Sequence, residues 1–303
     1  MKILVTGGAG FIGSHIVDNL IERGDSVVIV DNLSTGKQEY INSRAKLYLR
    51  DLCEEIDDIF SKERPEIVIH CAAQVQLRES LANPIFDAKT NIIATINVLE
   101  ACRKNGVKRI IYTSTGGARV GEPEYLPVDE KHPINPCAPY GVSKHTAEHY
   151  VWMYNELYNL DYLTFCFGNV YGPRDDPDCK RVTAVFIEKM LRGESPKIFG
   201  SGEQKRDFIF VEDLANLITD SVEKNPEHKL FHLANGEKTS VNEIFAFLKD
   251  IMNFQGEAQH IDAIKGEVQE IVLDTTLVTS ELGWDPKHSL YEGLKKTVDF
   301  FKK

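Results

Sequence analysis

Short runs of apolar residues alternate with amphipathic stretches along the first half of the chain. The strand-like runs lie at residues 3–6, 26–30, 48–51, 67–73, 109–115 and 162–168. Helical stretches follow the glycine-rich turn after the first run and then occupy residues 54–62, 84–105 and 140–158. Strands that alternate with helices in this way are typical of a parallel sheet with helices on both faces. The pattern predicts an α/β protein with a Rossmann-like, doubly wound parallel sheet.

Beyond residue 169 the alternation gives way to prolines, glycines and shorter elements. Helices are predicted near residues 182–192, 212–223, 240–252 and 289–301. We therefore expect a Rossmann domain over residues 1–168 and a smaller C-terminal α/β lobe over residues 169–303. No repeat or low-complexity linker separates them, so the boundary is approximate and we expect the lobes to interleave. Ligands of such sheets bind beyond the carboxyl ends of the strands.

The first strand runs directly into glycines at GxxGxxG spacing, namely Gly7, Gly10 and Gly13. Such glycines permit a tight turn, a close approach to a pyrophosphate and close packing of the next helix, whose N-terminus favours an anion. Alone, the triplet is equally compatible with a flexible turn. The second strand, however, ends at Asp31, where a carboxylate binds the ribose hydroxyls of a dinucleotide and repels a 2′-phosphate. The sequence thus indicates an NAD site rather than an NADP site.

Composition and charge limit the classes of partner that the protein can bind. The 303 residues are 42% hydrophobic and carry a net charge of −11, which disfavours a nucleic acid or an anionic membrane as partner. We find no apolar stretch of the roughly 20 residues that a membrane span needs, so we expect a cytoplasmic protein. The six cysteines are scattered singly, and we expect no metal. Residues 169–206 hold eight Lys or Arg against six Asp or Glu, which points weakly towards a bound phosphate.

Tyr140 and Lys144 carry the strongest chemical signal, because residues at i and i+4 share one face of a helix. An ammonium group beside a phenol favours the phenolate, so we expect Lys144 to lower the pKa of Tyr140 and make it a usable base. Ser114 and Thr115 end a strand about 25 residues earlier, where either hydroxyl could bond a substrate oxygen. By themselves these residues could equally be an exposed helix pair and a helix cap.

The segments GGAGFIG, HCAAQ, YGVSK, GNVYGPR and ELGWDP resemble the extended short-chain dehydrogenase/reductase family, and within it the NAD-dependent nucleotide-sugar epimerases and dehydratases. The resemblance spans nearly the whole chain. It implies a tightly held NAD and 4-epimerisation of a UDP-sugar, UDP-glucose and UDP-galactose first, through a transient 4-keto sugar. Tyr140 would be the base, Lys144 would bind the nicotinamide ribose, and Thr115 or Ser114 would be the hydroxyl partner.

The same resemblance implies binding residues. Those for NAD are Gly7, Gly10, Phe11, Ile12, Gly13, Asp31, Asn32, Asp51, Leu52, Ala72, Ala73, Gln74, Asn91, Tyr140 and Lys144. Asn91 has a plain alternative as a surface amide. Asn169 and Arg206 would contact the sugar nucleotide, although Arg206 could instead form a surface ion pair. A homodimer is expected through the helices at 84–105 and 140–158.

Some residues depart from the family pattern. Arg119-Val120-Gly121 replaces the usual VYG, Ile264 stands where relatives carry an arginine, and Cys166 replaces another frequent arginine. We expect Arg119 to alter the sugar pocket and Cys166 to alter packing. At Ile264 the family's arginine, which grips the diphosphate, is missing, and Lys265 could substitute for it without the bidentate fork. Dehydratases carry Asp-Glu after the threonine, and this chain has Gly116-Gly117, so epimerisation is favoured over water elimination.

Four alternatives stay open at this point. They are another sugar-nucleotide epimerase, a 4,6-dehydratase, a net oxidoreductase, and a non-catalytic NAD-binding regulatory protein.

Overall fold

The computed structural model describes residues 1–263 and 268–303, so Ile264 and its neighbours Lys265, Gly266 and Glu267 lie outside the described residues. Its strands are short and mostly buried. They are β1 Lys2–Thr6, β2 Ser26–Asp31, β3 Lys46–Leu49, β4 Ile67–His70, β5 Arg109–Thr115, β6 Asp161–Phe167, β7 Asn169–Tyr171, β8 Lys197–Phe199, β9 Lys205–Arg206, β10 Phe208–Phe210, β11 Leu230–Leu233, β12 Thr239–Ser240 and β13 Gln259–Ile261.

Seven of these strands form one parallel sheet in the order β3-β2-β1-β4-β5-β6-β11. The chain runs outward from β1 in one direction and then returns to continue from β4 in the other. This reversal creates a crevice beyond the carboxyl ends of β1 and β4, which is where open α/β sheets bind ligands. The predicted fold class is confirmed.

Helices cover both faces of the sheet and build the second lobe. They are α1 Phe11–Glu22, α2 Asp57–Glu63, α3 Leu77–Ala82, α4 Pro84–Ala88, α5 Ala94–Asn105, α6 Gly117–Val120, α7 Pro139–Tyr158, α8 Val182–Leu191, α9 Val211–Ser221, α10 Val241–Met252, α11 Thr276–Leu282 and α12 Leu290–Phe301. Two 3₁₀ turns, Gln38–Tyr40 and Pro177–Cys179, lie in connecting loops.

The helix predicted over residues 84–105 is not uniform. A π-helical turn, Lys89–Ile93, separates α4 from α5 without interrupting the helical path. An inserted π turn rotates the side chains that follow it, and such turns often occur at functional sites. The short helices α3, α6 and α11 were not predicted, because stretches of four to seven residues are too brief for a clear helical period.

Apolar side chains fill both faces of the large sheet. One cluster packs β1, β4 and β6 against α1 and α9, and a second packs the opposite face against α2, α5 and α7. A third cluster lies in the C-terminal half, between α8, α10 and α12. Because β11 comes from residues 230–233 yet completes the large sheet, the second half of the chain contributes to both layers. A division at residue 168 stays a prediction.

Within the described ranges of the chain, every helix is too short or too polar to cross a membrane.

Candidate active site

A cavity of about 600 Å³ opens beyond the carboxyl ends of β1, β2, β4, β5 and β6. Most of the residues predicted from the sequence line it. They are Gly7, Gly10, Phe11, Ile12, Gly13, Asp31, Asn32, Asp51, Leu52, Ala72, Ala73, Ser114, Thr115, Tyr140 and Asn169. These residues come from seven separate stretches of the chain, so the sheet gathers them at one edge.

The glycine turn leaves no room for side chains. Gly7 has φ +68°, and a Cβ there would lie 2.7 Å from the backbone nitrogen of Ala72. A Cβ on Gly13 would overlap the carbonyl oxygen of Gly7. Helix α1 begins at Phe11 and contains Gly13, and Gly10 at its N-cap offers no side-chain bond to the first N–H groups. Bare backbone and unsatisfied N–H groups at a cavity wall fit a pyrophosphate.

Asp31 is held at the end of β2 with its carboxylate fixed. Its two oxygens accept hydrogen bonds from the backbone N–H groups of Ala9 and Leu33, at 3.0 and 2.8 Å. Each oxygen keeps a further acceptor position for a ribose hydroxyl. Next to it, Asn32 donates to Asp51 at 3.0 Å, which links the two predicted contacts of the adenosine half. Together with the glycine turn, these residues fit the adenosine diphosphate part of NAD.

Tyr140 and Thr115 both line the cavity, close enough together for the Thr115 hydroxyl to act on the pKa of Tyr140. Burial raises the pKa of Tyr140 to about 12, and the positive charge that opposes this rise comes from Arg181. The expectation that Lys144 lowers this pKa is therefore wrong for this structure. Lys144 is buried with its Nζ 4.2 Å from the ring centroid of Tyr112, and burial lowers its own pKa to about 8.

The structure separates the two hydroxyls that the sequence could not tell apart. Ser114 donates to the carboxylate of Glu148 at 2.5 Å and is buried. Thr115, one residue on, lines the cavity near Tyr140. Adjacent residues of a strand point to opposite faces, which is why only one of them can approach Tyr140. Glu148 was missed from the sequence, although it shares a helix face with Lys144.

Arg119 is not among the described residues that line the cavity. It is buried, its Nη1 donates to the Sγ of Cys166 at 3.3 Å, and its Nη2 lies 3.5 Å from Glu148. Arg119 and Cys166, the two residues that differ from the family pattern here, therefore contact each other. The change at Cys166 provides a polar partner for Arg119 and is not a packing change alone. Burial would raise the pKa of Glu148, but the hydrogen bond from His145 and the charge of Arg119 hold it below its usual value. Arg119 is linked to the cavity through Glu148, which accepts a hydrogen bond from the cavity-lining Ser114.

Asn91 and Gln74 are buried together behind the cavity wall. The Asn91 side chain accepts from the backbone N–H of Gln74 at 2.9 Å and donates to its carbonyl at 3.0 Å. It also donates to Ser143 on α7, at 3.2 Å. Asn91 thus ties the chain after β4 to the helix that carries Tyr140 and Lys144. The surface alternative for Asn91 is wrong.

Arg206 lies on β9, outside the set of residues that line the cavity. Its Nη1 donates to the carbonyl oxygens of Lys205 and Gln269, at 2.9 and 3.4 Å. These contacts face the second lobe, where Lys205 pairs with Ser240 across a short antiparallel ladder. A role for Arg206 in binding substrate stays a prediction.

Residues 172–181, which we call the bridging segment, close one side of the cavity and carry unpredicted contacts to the first lobe. They include His15 Nε2 to the carbonyl of Pro173 at 3.0 Å, Arg174 to Asp18 at 2.7 Å, and Lys37 to Asp176 at 3.8 Å. Arg174, Asp176, Cys179 and Arg181 from this segment line the cavity. The local excess of positive charge noted in the sequence was the one signal for them.

The fold, the glycine turn and the Tyr140–Lys144 pair define a short-chain-dehydrogenase type of site with room for a dinucleotide. Residues 3–234 match the NAD dependent epimerase/dehydratase family, and the chain belongs to that family.

Solved structures give the finer comparison. A Thermotoga maritima UDP-glucose 4-epimerase, solved with UDP-glucose, is 45% identical to this chain, covers 100% of this chain and 99% of its own, and has a TM-score of 0.97. The Thermus thermophilus UDP-glucose 4-epimerase, solved with NAD, is 35% identical with the same two coverages and a TM-score of 0.95. A UDP-glucose 4-epimerase of Mycolicibacterium smegmatis is 36% identical over 100% of this chain and 99% of its own.

Proposed function

We propose that this protein is an NAD-dependent UDP-sugar 4-epimerase that interconverts UDP-glucose and UDP-galactose. The observation that carries the proposal is the pairing of Tyr140 with Thr115 at the wall of the cavity that also contains Asp31 and the glycine turn. A base and a hydroxyl side by side suit a secondary alcohol that loses and regains its proton. The full-length likeness to UDP-glucose 4-epimerases supports the same substrate class.

In this proposal Tyr140 takes the proton of the sugar 4-hydroxyl and later returns it, while Thr115 bonds the same oxygen. When bound, NAD supplies the acceptor and donor of the hydride that leaves and re-enters at C4. The sugar is oxidised to a 4-ketone and then reduced on its opposite face, so the product has the mass of the substrate. Lys144 lies one turn further along α7 as the residue proposed to bind the nicotinamide ribose, and Asn91 positions that helix through Ser143.

Elimination of water is disfavoured because the position directly after Thr115 has no room for an acidic side chain. A dehydratase needs an acid to protonate the leaving hydroxyl. The residues at this place are Gly116 and Gly117, and a Cβ on Gly116 would overlap the Leu273 side chain and lie 3.1 Å from the Phe167 carbonyl oxygen. A carboxylate side chain therefore has no room at that position without a shift of its neighbours.

A homodimer is part of the proposal. The helical segments that carry Ile85 and Ile93 pack against α7, and both side chains are exposed, Ile85 by 73%. On α7 itself, Val142 and Trp152 are also exposed. Large apolar side chains on two adjacent helices favour burial against a second copy, which light scattering of the purified protein would measure. The cytoplasmic location stays a prediction.

The test of the activity needs no added cofactor. Purified protein is incubated with UDP-glucose, UDP-galactose, their N-acetyl forms and UDP-glucuronate, and products are separated by chromatography and weighed by mass spectrometry. A product of unchanged mass supports the proposal and identifies the sugar. Loss of water or carbon dioxide would contradict it, and no conversion with NAD demonstrably bound would favour a regulatory protein.

The Tyr140→Phe variant sharpens this test, because it removes one hydroxyl and leaves the ring. We expect turnover to fall by about 10²- to 10⁴-fold with retained NAD unchanged. Tyr158→Phe is the matched control, since Tyr158 is a half-exposed tyrosine at the far end of the same helix. Near-normal turnover of Tyr140→Phe would refute the assigned base.

A further inference from the structure

Arg181 is a cation in the cavity that the sequence motifs did not single out. Its side chain is 29% exposed, and it lines the cavity. Its guanidinium carbon lies 5.1 Å from the ring centroid of Phe11, the first residue of α1. The guanidinium therefore lies over the end of the helix whose N–H groups line the same cavity.

The Arg181 side chain is oriented by a buried carboxylate. Its Nε donates to the Oδ1 of Asp175 at 2.7 Å, and the Asp175 side chain is fully buried. A guanidinium carries five N–H donors, so Asp175 and the contact with the Cys179 thiol leave several of them for a ligand. A fixed, planar fork at a cavity wall suits two oxygens of a phosphate group.

Arg181 also lies close enough to Tyr140, the proposed base, for its charge to act on that residue. Its charge opposes the rise in the pKa of Tyr140, so Arg181 acts electrostatically on Tyr140 while lying over Phe11. A group bound there would lie between the pyrophosphate end of the glycine turn and the proposed base. The chain as a whole has a net charge of −11, which repels anions. Because Arg181 places a positive charge in the cavity, the cavity attracts an anion despite that net charge.

We propose that Arg181 binds a diphosphate group in the cavity. This inference rests on the proposed function, in which the two ligands, NAD and a UDP-sugar, each contain a diphosphate. Both offer the same chemistry, a pair of negatively charged phosphate groups, and the experiment separates them. The bridging segment supplies Arg181 and Asp175 together, so the segment forms part of the ligand site and does not only cover it.

The test uses the purified holoenzyme and the variant Arg181→Gln. Calorimetry measures UDP and uridine binding, and gel filtration followed by absorbance of the released cofactor measures retained NAD. Charge-assisted hydrogen bonds of this type predict at least a tenfold effect. If the sugar nucleotide is the ligand, UDP binds at least about tenfold more weakly while uridine is unchanged. If NAD is the ligand, its retention falls and UDP binding holds.

Three further variants serve as controls for this test. Lys180→Gln makes the same charge change one residue away, at an exposed side chain, and is expected to behave as wild type. Arg181→Lys should recover part of the affinity, because charge returns without the fork. Asp175→Asn combined with Arg181→Gln leaves no buried unpaired carboxylate, so it tests binding even if the single variant folds poorly.

The inference is overturned if UDP affinity and NAD retention of a folded variant both stay within twofold of wild type. Failure of the proposed function is a separate result. It would show as wild-type protein that converts none of the UDP-sugars, whereas the comparison between wild type and Arg181→Gln needs only binding.

Discussion

Replacing Arg119 by methionine should destabilise the protein strongly, because it leaves a buried carboxylate without its cation. Arg119 and Glu148 are both more than nine-tenths buried and lie 3.5 Å apart. Removing one partner of a buried ion pair costs about 3–5 kcal/mol. Ser114 and His145 still bond the carboxylate, so we expect the lower end, about 3 kcal/mol.

That free energy converts into a measurable melting shift. For 303 residues, an unfolding entropy of about 2.1 cal/mol/K per residue gives about 0.6 kcal/mol/K. Arg119→Met should therefore melt about 5 °C below wild type in scanning calorimetry at pH 8. Without Arg119 the pKa of Glu148 rises, so the carboxyl takes up a proton more readily in the folded variant. The deficit should therefore shrink as the pH falls towards 5.

Two comparisons make the result decisive. Arg119→Met combined with Glu148→Gln removes both charges and should recover at least half of the lost melting temperature. Arg103→Met, which breaks the solvent-exposed pair with Glu100, should change it by less than about 1 °C. The reasoning is refuted if Arg119→Met melts within 1 °C of wild type, or if the double variant is no more stable than the single one.

Other predictions concern catalysis and the cofactor. Thr115→Val should lower kcat by about 10²-fold and Ser114→Ala by much less, and steady-state kinetics showing the reverse order would contradict the assignment. If charged Lys144 is required, kcat should fall as the pH rises through about 8, since burial lowers its pKa to that value; a flat profile to pH 9.5 would exclude this. Gly13→Ala should abolish NAD retention on gel filtration, because its Cβ would overlap the Gly7 carbonyl; full retention would rule out this packing.

Local patterns made the first lobe predictable. The turn around Gly7 and Gly13 and the carboxylate of Asp31 are each dictated by backbone requirements that a few adjacent residues satisfy. The sheet followed because apolar strands alternating with helices have one favourable arrangement. The position of Tyr140 on α7 followed in the same way from helical spacing.

The rest depended on contacts between distant parts of the chain. Ser114 and Thr115 are chemically alike, and only their partners on α7 distinguish them. Arg119 looked like a residue of the sugar pocket, but its guanidinium turns towards Glu148, 29 positions away in sequence. Arg181 belongs to no local pattern, because its importance comes from packing over Phe11. Tertiary contacts of this kind have no signature in a single sequence.

The bridging segment affects how readily a bound cofactor exchanges with the NAD pool of the cell. Three polar contacts fasten it to α1 and to the loop after β2, across the cavity. The segment lines the cavity, so we expect these three contacts to slow the exchange of a bound dinucleotide with the surrounding pool. A resident cofactor that is oxidised and reduced once per turnover makes the reaction independent of the cellular ratio of NAD to NADH. The supply of sugar isomers would then follow sugar levels alone, in respiring and starved cells alike.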